Sequence, residues 1–348
     1  DDYYRLKTYG VCSQKHPGYF MVRIRVPGGR LTAAQLTRLA DLADTHGRGW
    51  GHLTTRQDLE LHWVRVEEVP EIWAKLEAVG ITTRSACGHT MRNVTACSHA
   101  GLGEDSLLDA RPWADAISQA FIKQSDLLNP VMPSRLNIYF AGCRSCASEA
   151  RINDIGFAAV SHPEVGFELW AGGSLGAHPM LGYKLRAWIP LEDALPACQA
   201  IFYLHTKYGN RNKAKSRLKF LMDQWGIEKF TSVFNRVFEE KRNLPENRAI
   251  QLPASGPVRD GPSVLNRMGT MLTSPFAPLL WPSHPFGSAQ DRSMVGVTPQ
   301  QQAGYSRVSV AVPLGDIRAE QLRTLSRLAR RYGNGRVQLT AEQDVELH

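Results

Sequence analysis

The chain has 348 residues, 43% hydrophobic and 21% charged, a composition typical of a globular protein with two or three domains. It contains no run of about 18–20 uncharged apolar residues, and its start, DDYYRLKTYG, lacks a signal-peptide pattern, so we expect a cytoplasmic protein without a membrane partner. The net charge of +8 favours an anionic ligand or an acidic partner; no nucleic-acid-binding signature accompanies it, which argues against nucleic acid.

The N-terminal part predicts strands alternating with helices. Residues 19–26 alternate in polarity as a strand does, and residues 33–46 carry apolar side chains at helical spacing. A second strand is predicted at 59–66 and a second helix at 69–79. This order predicts a small α+β sandwich in which one sheet is covered on one face.

Residues 111–240 predict a separate α/β domain. Its predicted helices lie at 113–125, 193–208 and 227–240, and its predicted strands at 136–140, 155–160 and 167–171. Residues 243–302 hold nine of the chain's 20 prolines and show little periodicity, so we predict an extended connector there.

The chain contains an internal repeat. Residues 17–62 align without a gap onto 303–348, and 21 of the 46 pairs are identical. Both copies end in the pattern L-T-x-x-Q-D-x-E-L-H. The period is far longer than the roughly 20–50 residues of a solenoid, so the repeat indicates a duplicated module. We expect the second copy to begin a unit equivalent to the first.

A ladder of cations lies in the segment NRNKAKSRLKF. Its members alternate at a spacing of two: Arg211, Lys213, Lys215, Arg217 and Lys219. In an extended segment, alternate side chains point to one face, so this spacing favours a strand-like segment that presents several cations to one anion. A solvated basic surface is the alternative.

Arg56 lies in a polar turn whose repeat partner lost the arginine. The turn is Thr-Thr-Arg-Gln at 54–57, and the matching turn at 340–343 is Thr-Ala-Glu-Gln, with Glu342 opposite Arg56. The fold therefore does not require arginine here, which favours a separate role for Arg56. A planar guanidinium suits recognition of a carboxylate or oxyanion; a surface ion pair is the alternative.

Four cysteines and a glycine loop are further candidates. Cys87 and Cys97, with Cys143 and Cys146, supply four thiols that could hold a 4Fe-4S cluster, although the spacing is not that of a ferredoxin. Buried cysteines that act as small hydrophobes are the alternative. The sequence GGSLG at 172–176 permits close backbone approach to a ligand, or marks a tight turn.

These motifs together resemble a known family. HLTTRQDLELHW, MRNVTAC, FAGCRSC, NDIGF and YGNRNKAKSRLKFL, in this order, are similar to the assimilatory-type siroheme-dependent sulfite and nitrite reductases. The resemblance covers about 9–240 and resumes at 303–348. It implies a pseudo-twofold α+β protein with duplicated ferredoxin-like modules and an α/β siroheme-binding domain. The expected domain ranges are 1–85, 86–242, a connector at 243–302, and the start of the second ferredoxin-like repeat at 303–348.

The resemblance also implies roles for individual residues. Arg56 and Arg92 match family arginines that face the macrocycle and the bound anion, and Arg217 with Lys219 matches the basic pair that completes the anion pocket. Siroheme carries eight carboxylates, which gives a chemical reason for many basic residues. Weaker transfers to siroheme are Arg84, Asn93, Gly173 and Lys215.

The implied activity is the six-electron reduction of sulfite to sulfide or of nitrite to ammonia. The implied cofactors are siroheme and a 4Fe-4S cluster bridged to it. The implied electron donor is acidic, such as a ferredoxin, a flavodoxin or a flavoprotein subunit. Two other functions remain open: a precorrin-3B synthase built on the same scaffold, and a non-catalytic half that binds siroheme or a partner subunit.

The cysteine pattern departs from the family. The family's cluster cysteines follow the second repeat as C-x5-C and C-x3-C, and this chain ends at His348 before such a motif, while Met91 replaces the first thiol of that pattern in the first half. We therefore expect the cluster ligands in further sequence of the same polypeptide or in a second polypeptide. The remaining possibility is that the four first-half cysteines hold the cluster.

Overall fold

The computed structural model describes residues 2–123, 132–176, 178–248, 296–302 and 304–348. The helices are α1 Asp2–Thr8, α2 Ala33–His46, α3 Val69–Glu77, α4 Arg111–Lys123, α5 Ala147–Ala150, α6 Ala194–Tyr208, α7 Leu218–Trp225, α8 Ile227–Arg242, α9 Pro245–Arg248 and α10 Ala319–Tyr332. None of these helices is long and apolar enough to cross a membrane. The connector predicted at 243–302 lies largely outside the described residues.

The strands form three sheets. They are β1 Val11–Ser13, β2 Phe20–Ile24, β3 Arg30–Thr32, β4 Trp50–Leu53, β5 Leu59–Val64, β6 Met91–Ala96, β7 Leu136–Ala141, β8 Ile155–Val160, β9 Gly166–Ala171, β10 Tyr183–Ile189, β11 Val297–Pro299, β12 Ser306–Val310, β13 Asp316–Arg318, β14 Arg336–Leu339 and β15 Val345–Leu347.

The first repeat folds as its hydrophobic pattern predicts. Helix α2 begins after a capping box formed by Thr32 and Gln35, and it buries Leu36, Leu39 and Leu42 completely. These leucines are three residues apart, so they form one stripe on the helix and pack against the sheet. The predicted order of strand, helix, strand and helix is confirmed. The two predicted strands correspond to β2 and β5, and the two predicted helices to α2 and α3.

The two repeats exchange short strands. The first sheet has the order β1-β2-β5-β4-β13, and the sheet of the second copy has the order β11-β12-β15-β14-β3. Each sheet therefore borrows its last strand from the other copy, and helices α2 and α10 pack together. Gly28 and Leu314, at matching positions, both have φ near +57°. The duplicated pseudo-twofold architecture is confirmed, whereas the strand exchange was not predicted.

The middle of the chain forms the predicted α/β domain. Its sheet has the order β10-β9-β8-β7-β6, in which β6, β7 and β8 run parallel and the other pairs antiparallel. Phe140, Phe157 and Phe167 pack their rings in the core beside Trp113. Strands β6 and β10 were not predicted. Strand β6 is buried at every position although its sequence, MRNVTA, is half polar, so no hydrophobic alternation marks it.

Candidate functional site

The turn that carries Arg56 is fixed by hydrogen bonds. The Thr54 hydroxyl accepts from the backbone N–H groups of Arg56 at 3.2 Å and Asp58 at 3.1 Å. The Gln57 side chain bonds both backbone groups of Ala96 and the carbonyl of Leu339 in the second copy. The turn is thus held against strand β6 and the other repeat. Arg56 itself makes no side-chain hydrogen bond or ion pair with the part of the chain that the structure describes.

Strand β6 brings Arg92 and Asn93 to the same place. The Asn93 amide donates to the carbonyls of Val26 at 2.8 Å and Arg56 at 2.9 Å, so Asn93 holds the Arg56 turn in position. Arg92 is 8% exposed and donates to the carbonyls of Ala86 and Gly88. Burial, together with neighbouring arginines, lowers the pKa of Arg92 to about 10.

Arg217 and Lys219 lie at the start of helix α7. Arg217 makes a bidentate ion pair with Asp154, which is 1% exposed, at 2.9 and 2.8 Å. The Lys219 ammonium is buried and donates to the carbonyl of His178. Burial and the nearby Arg217 charge lower the pKa of Lys219.

The prediction of an extended basic ladder is wrong. Residues Lys213–Lys215 form a single helical turn capped by the Asn212 side chain, and helix α7 follows at once. The reason is that Leu218, Leu221 and Met222 have helical spacing and are buried. The first three cations of the ladder, Arg211, Lys213 and Lys215, are exposed, so only its last two enter the site. The predicted siroheme contact of Lys215 stays a prediction.

Two cations of the site, Arg23 and Arg135, were not identified from the sequence; their charges act on the predicted site residues. Burial lowers the pKa of Arg56, and the charges of Arg23 and Arg217 lower it further. Arg135 has its pKa lowered to about 10 by burial and by Arg217 and Arg56. We call the resulting group the basic cluster: Arg23, Arg56, Arg92, Arg135, Arg217 and Lys219. Two sequence features could have identified them: Arg23 lies within an otherwise apolar strand, and Arg135 directly precedes strand β7.

The basic cluster is only partly neutralised. Arg23 pairs with Glu60 at 2.5 Å, and Arg217 pairs with Asp154. Arg135 keeps a buried Nε without a hydrogen-bond partner in the described chain. Like charges gathered away from water are unfavourable unless opposite charge is supplied. The arrangement therefore suits a ligand with several negative charges.

Asp58 lies within the same group of charges. It is 1% exposed, and burial raises its pKa to about 7 although Arg23, Arg25 and Arg92 act to lower it. Between about pH 4 and 7 the unfolded chain releases this proton while the folded chain keeps it. The contribution of Asp58 to folding stability is thus complete below about pH 4 and falls as the pH rises to 7.

We therefore expect Asp58→Asn, which cannot titrate, to flatten the pH dependence of the free energy of unfolding over that interval. Denaturant titrations of the siroheme-free chain at several pH values measure it. Asp223→Asn is the matched control, because Asp223 is exposed on helix α7. Equal slopes for Asp58→Asn and the unmodified chain would contradict the assignment.

Two of the weaker candidates have a structural setting of their own. A Cβ at Gly173 would lie 2.2 Å from the Arg151 carbonyl oxygen, so close backbone packing requires glycine there. Arg84 is exposed, and its guanidinium lies 5.5 Å from the centre of the Tyr9 ring. The predicted contacts of both residues with siroheme stay predictions.

The four candidate thiols do not form one group. The Sγ atoms of Cys97, Cys143 and Cys146 lie within 4.8 Å of one another, and all three residues are buried. Cys87 contacts Cys12 instead; that thiol, with Arg23, lowers the pKa of Cys87 to about 6. The four-cysteine set is therefore wrong, and three thiols remain together.

Cys97 and Cys146 line a pocket of about 230 Å³, here called the thiol pocket, that also contacts the second repeat. The Cys143 sulfur lies within 4.8 Å of both. The acidic lining residues of the pocket are Glu149, Glu342, Asp344 and Glu346. Glu342 belongs to the turn that matches the Arg56 turn of the first copy. One copy of the duplicated turn thus presents a cation to the basic cluster, and the other presents an anion to the thiol pocket.

Two family models match the chain. The nitrite and sulphite reductase 4Fe-4S domain matches residues 87–242. The nitrite/sulfite reductase ferredoxin-like half domain matches residues 13–79 and again 298–348. The repeat found in the sequence is therefore matched twice by one model.

Curated relatives extend the similarity. Sulfite reductase (ferredoxin) 1 of Mycolicibacterium paratuberculosis is 34% identical over 244 residues, covering 69% of this chain and 42% of that protein. Assimilatory ferredoxin-dependent nitrite reductase of Haloferax mediterranei is 32% identical, covering 98% and 57%. Ferredoxin–nitrite reductase of Synechococcus elongatus is 31% identical, covering 100% and 62%. The chain spans about half the length of these relatives.

Solved structures show the same fold. The Mycobacterium tuberculosis NirA protein superposes with a TM-score of 0.76 at 29% identity, over 99% of this chain and 59% of that one. Dissimilatory sulfite reductase I superposes with a TM-score of 0.54 at 13% identity, over 70% and 74% respectively, which supports the fold alone.

Proposed function

The chain belongs to the nitrite and sulfite reductase family, and from this we propose that it forms the siroheme-binding part of an enzyme that reduces sulfite to sulfide or nitrite to ammonia. The observation that carries the proposal is the basic cluster. Three of its arginines, Arg56, Arg92 and Arg135, have no carboxylate partner among the described residues. They gather where two strand ends and the start of a helix meet.

The donor set suits siroheme. The macrocycle has eight carboxylates, and guanidinium groups bind carboxylates through charge-assisted, often bidentate, hydrogen bonds. Arg135, with its unpartnered Nε, and Arg56, which has no ion pair within the described chain, are suitable donors. Arg217 is already paired with Asp154, so we assign to it the support of the site and only a secondary contact with the ligand.

The family's 4Fe-4S cluster suits this chain less well. A 4Fe-4S cluster is usually held by four thiolates, whereas the chain brings three together. Its other cysteines, Cys12, Cys87 and Cys198, lie outside that group. We therefore propose that cluster ligands come from sequence beyond these 348 residues or from a second polypeptide.

Siroheme, when bound, supplies the redox-active iron at which the oxyanion is reduced. The protein's task is to neutralise the anion and deliver protons, because each oxygen that leaves as water takes up two of them. Arg56 and Arg92 stay protonated and stabilise negative charge on the oxygens. Lys219, whose pKa is lowered, is the proton donor we assign.

The electron donor and the cellular location complete the proposal. Relatives are named for ferredoxin, which supports a ferredoxin as donor. The net charge of +8 suits docking of an acidic carrier. We place the enzyme in the cytoplasm. Both sulfite and nitrite reductases occur among the relatives, so the two substrates are to be assayed in parallel.

The test is to produce the chain in cells that make siroheme and to measure siroheme per chain from its absorption spectrum. We expect siroheme in the unmodified chain. We expect Lys219→Ala to retain siroheme and to lose at least tenfold in sulfite or nitrite reduction with reduced methyl viologen, measured with the cluster-bearing part present. The matched control is Lys213→Ala, an exposed lysine of the same segment, which should change neither quantity.

Siroheme absent from the freshly purified chain would overturn the siroheme assignment. Equal loss of siroheme and activity in Lys219→Ala would overturn the proton-donor role of Lys219. Siroheme retained, with no turnover even after the cluster-bearing part is supplied, would support the non-catalytic alternative.

A further inference from the structure

We propose that Cys97, Cys143 and Cys146 bind a single zinc ion and that His99 turns toward them to complete a tetrahedral site, separate from the basic cluster and from the family's cofactors. The site lies in the thiol pocket, between the α/β domain and the second repeat. Three thiolates and one imidazole are a common ligand set for structural zinc.

The distances between the thiols favour one ion. Thiolates that bind one zinc at about 2.3 Å in tetrahedral geometry lie about 3.8 Å apart. The Cys97 and Cys143 Sγ atoms are 3.6 Å apart, and all three thiols fall within 4.8 Å. In an iron-sulfur cubane each thiolate binds a different iron, so its ligands must spread farther and a fourth thiolate is usual. Neither condition is met here.

The thiols are held by the regular part of the fold. Cys97 directly follows strand β6, and Cys143 follows its parallel neighbour β7, so both lie at the same edge of the sheet. The Cys97 N–H donates to the Phe140 carbonyl at 2.9 Å, which fixes this register. The Gly142 N–H donates to the Cys97 sulfur at 3.2 Å, an interaction that stabilises a thiolate. Two of the three ligands therefore need little rearrangement to bind an ion.

His99 lies beside the thiols but not within 4.8 Å of all three sulfur atoms, so its side chain must turn toward them to serve as the fourth ligand. Its Nε2 lies 3.2 Å from the Glu346 carboxylate, and the imidazole also contacts the Cys146 thiol. A metal-bound histidine usually gives its second ring nitrogen to a carboxylate or carbonyl, which fixes the orientation of the ring. Glu346 is buried and comes from strand β15 of the second repeat. The zinc would thus connect the two parts of the fold.

The charge of the pocket selects a cation. Glu149, Glu342 and Asp344 line it in addition to Glu346, and Arg307 is the one arginine among its lining residues. This lining would repel the carboxylates of siroheme and attract a divalent ion. Arg56 of the first copy corresponds to Glu342 of the second. The first turn therefore faces an anionic ligand, and the second faces a cation.

The first test is the metal content of the purified 348-residue chain. We expect about one zinc per chain by elemental analysis. We also expect the content of acid-labile sulfide to be the same in the unmodified chain and in Cys146→Ser. Cobalt in place of zinc should give the intense visible bands of a tetrahedral ion and a thiolate-to-cobalt charge-transfer band. An octahedral cobalt spectrum, or iron and sulfide at about four each per chain that vanish in Cys146→Ser, would overturn the proposal.

The second test uses variants. Cys146→Ser and His99→Ala should lower zinc occupancy, whereas Cys12→Ser, a cysteine outside the site, should not. Glu346→Gln removes the carboxylate charge that faces His99, Arg307 and His348. It should weaken zinc binding roughly 10–100-fold in competition with a chelator. Zinc that persists in both Cys146→Ser and His99→Ala would contradict the ligand assignment. If those variants fail to fold, the cobalt spectrum of the unmodified chain decides.

Discussion

Arg56→Glu, which gives the first copy the residue found at position 342, is expected to abolish retention of siroheme during purification. Arg56 is half-buried in the basic cluster and has no carboxylate partner in the described chain. The change removes a donor and adds a negative charge opposite a polyanion. Losing one member of a desolvated charge pair costs about 2–5 kcal/mol, so affinity should fall at least roughly 30-fold.

The measurement is siroheme per chain, from absorption, together with a titration of the siroheme-free chain with added siroheme. Arg236→Glu is the matched control, because it makes the same charge change at an exposed position on helix α8. Circular dichroism checks that both variants fold. Siroheme content equal to that of the unmodified chain in Arg56→Glu would refute the role of Arg56.

The duplicated sequence by itself is sufficient to single out Arg56. Residues that are identical in two aligned copies are those that the fold needs in both. Arg56 is not one of them, because the second copy has Glu342 at the matching position. The turn geometry agrees with this reasoning: Gln57 and Gln343, identical in the two copies, both have positive φ and bond to the other repeat. The two glutamines hold the halves of the duplicated unit together, and the divergent position beside each of them is left to function.

Other parts of the site lay beyond sequence reasoning for identifiable reasons. Arg23 and Arg135 are 112 positions apart in the chain, and only the packing of strand β2 beside the α/β domain brings both near Arg56. Helix α7 was not predicted because the cations that lead into it, from Arg211 to Lys219, alternate as in a strand. The apolar residues of the helix, which decide its conformation, have helical spacing. The thiol group depends on the parallel pairing of β6 with β7, which residue spacing does not reveal.

Arg217→Ala is expected to destabilise the α/β domain more than it affects any ligand directly. Arg217 holds Asp154 by three hydrogen bonds, and the same carboxylate accepts the Asn137 N–H at 2.8 Å. Removing the guanidinium leaves a buried carboxylate without its counter-charge, which costs about 3–5 kcal/mol. The free energy of unfolding, from denaturant titration followed by tryptophan fluorescence, measures this loss. The control is Arg236→Ala, for which we expect no more than about 0.5 kcal/mol.

Asp154→Asn in the Arg217→Ala background separates stability from ligand binding. The asparagine can still accept from Asn137 but carries no charge, so the double variant should recover most of the stability lost in Arg217→Ala. If Arg217 acts mainly by holding Asp154, siroheme content should recover with stability. If siroheme content stays low while stability returns, Arg217 contacts the ligand itself. Because Lys219 donates to the His178 carbonyl, a bond that Asp154 does not share, Lys219→Ala should show no comparable rescue by Asp154→Asn.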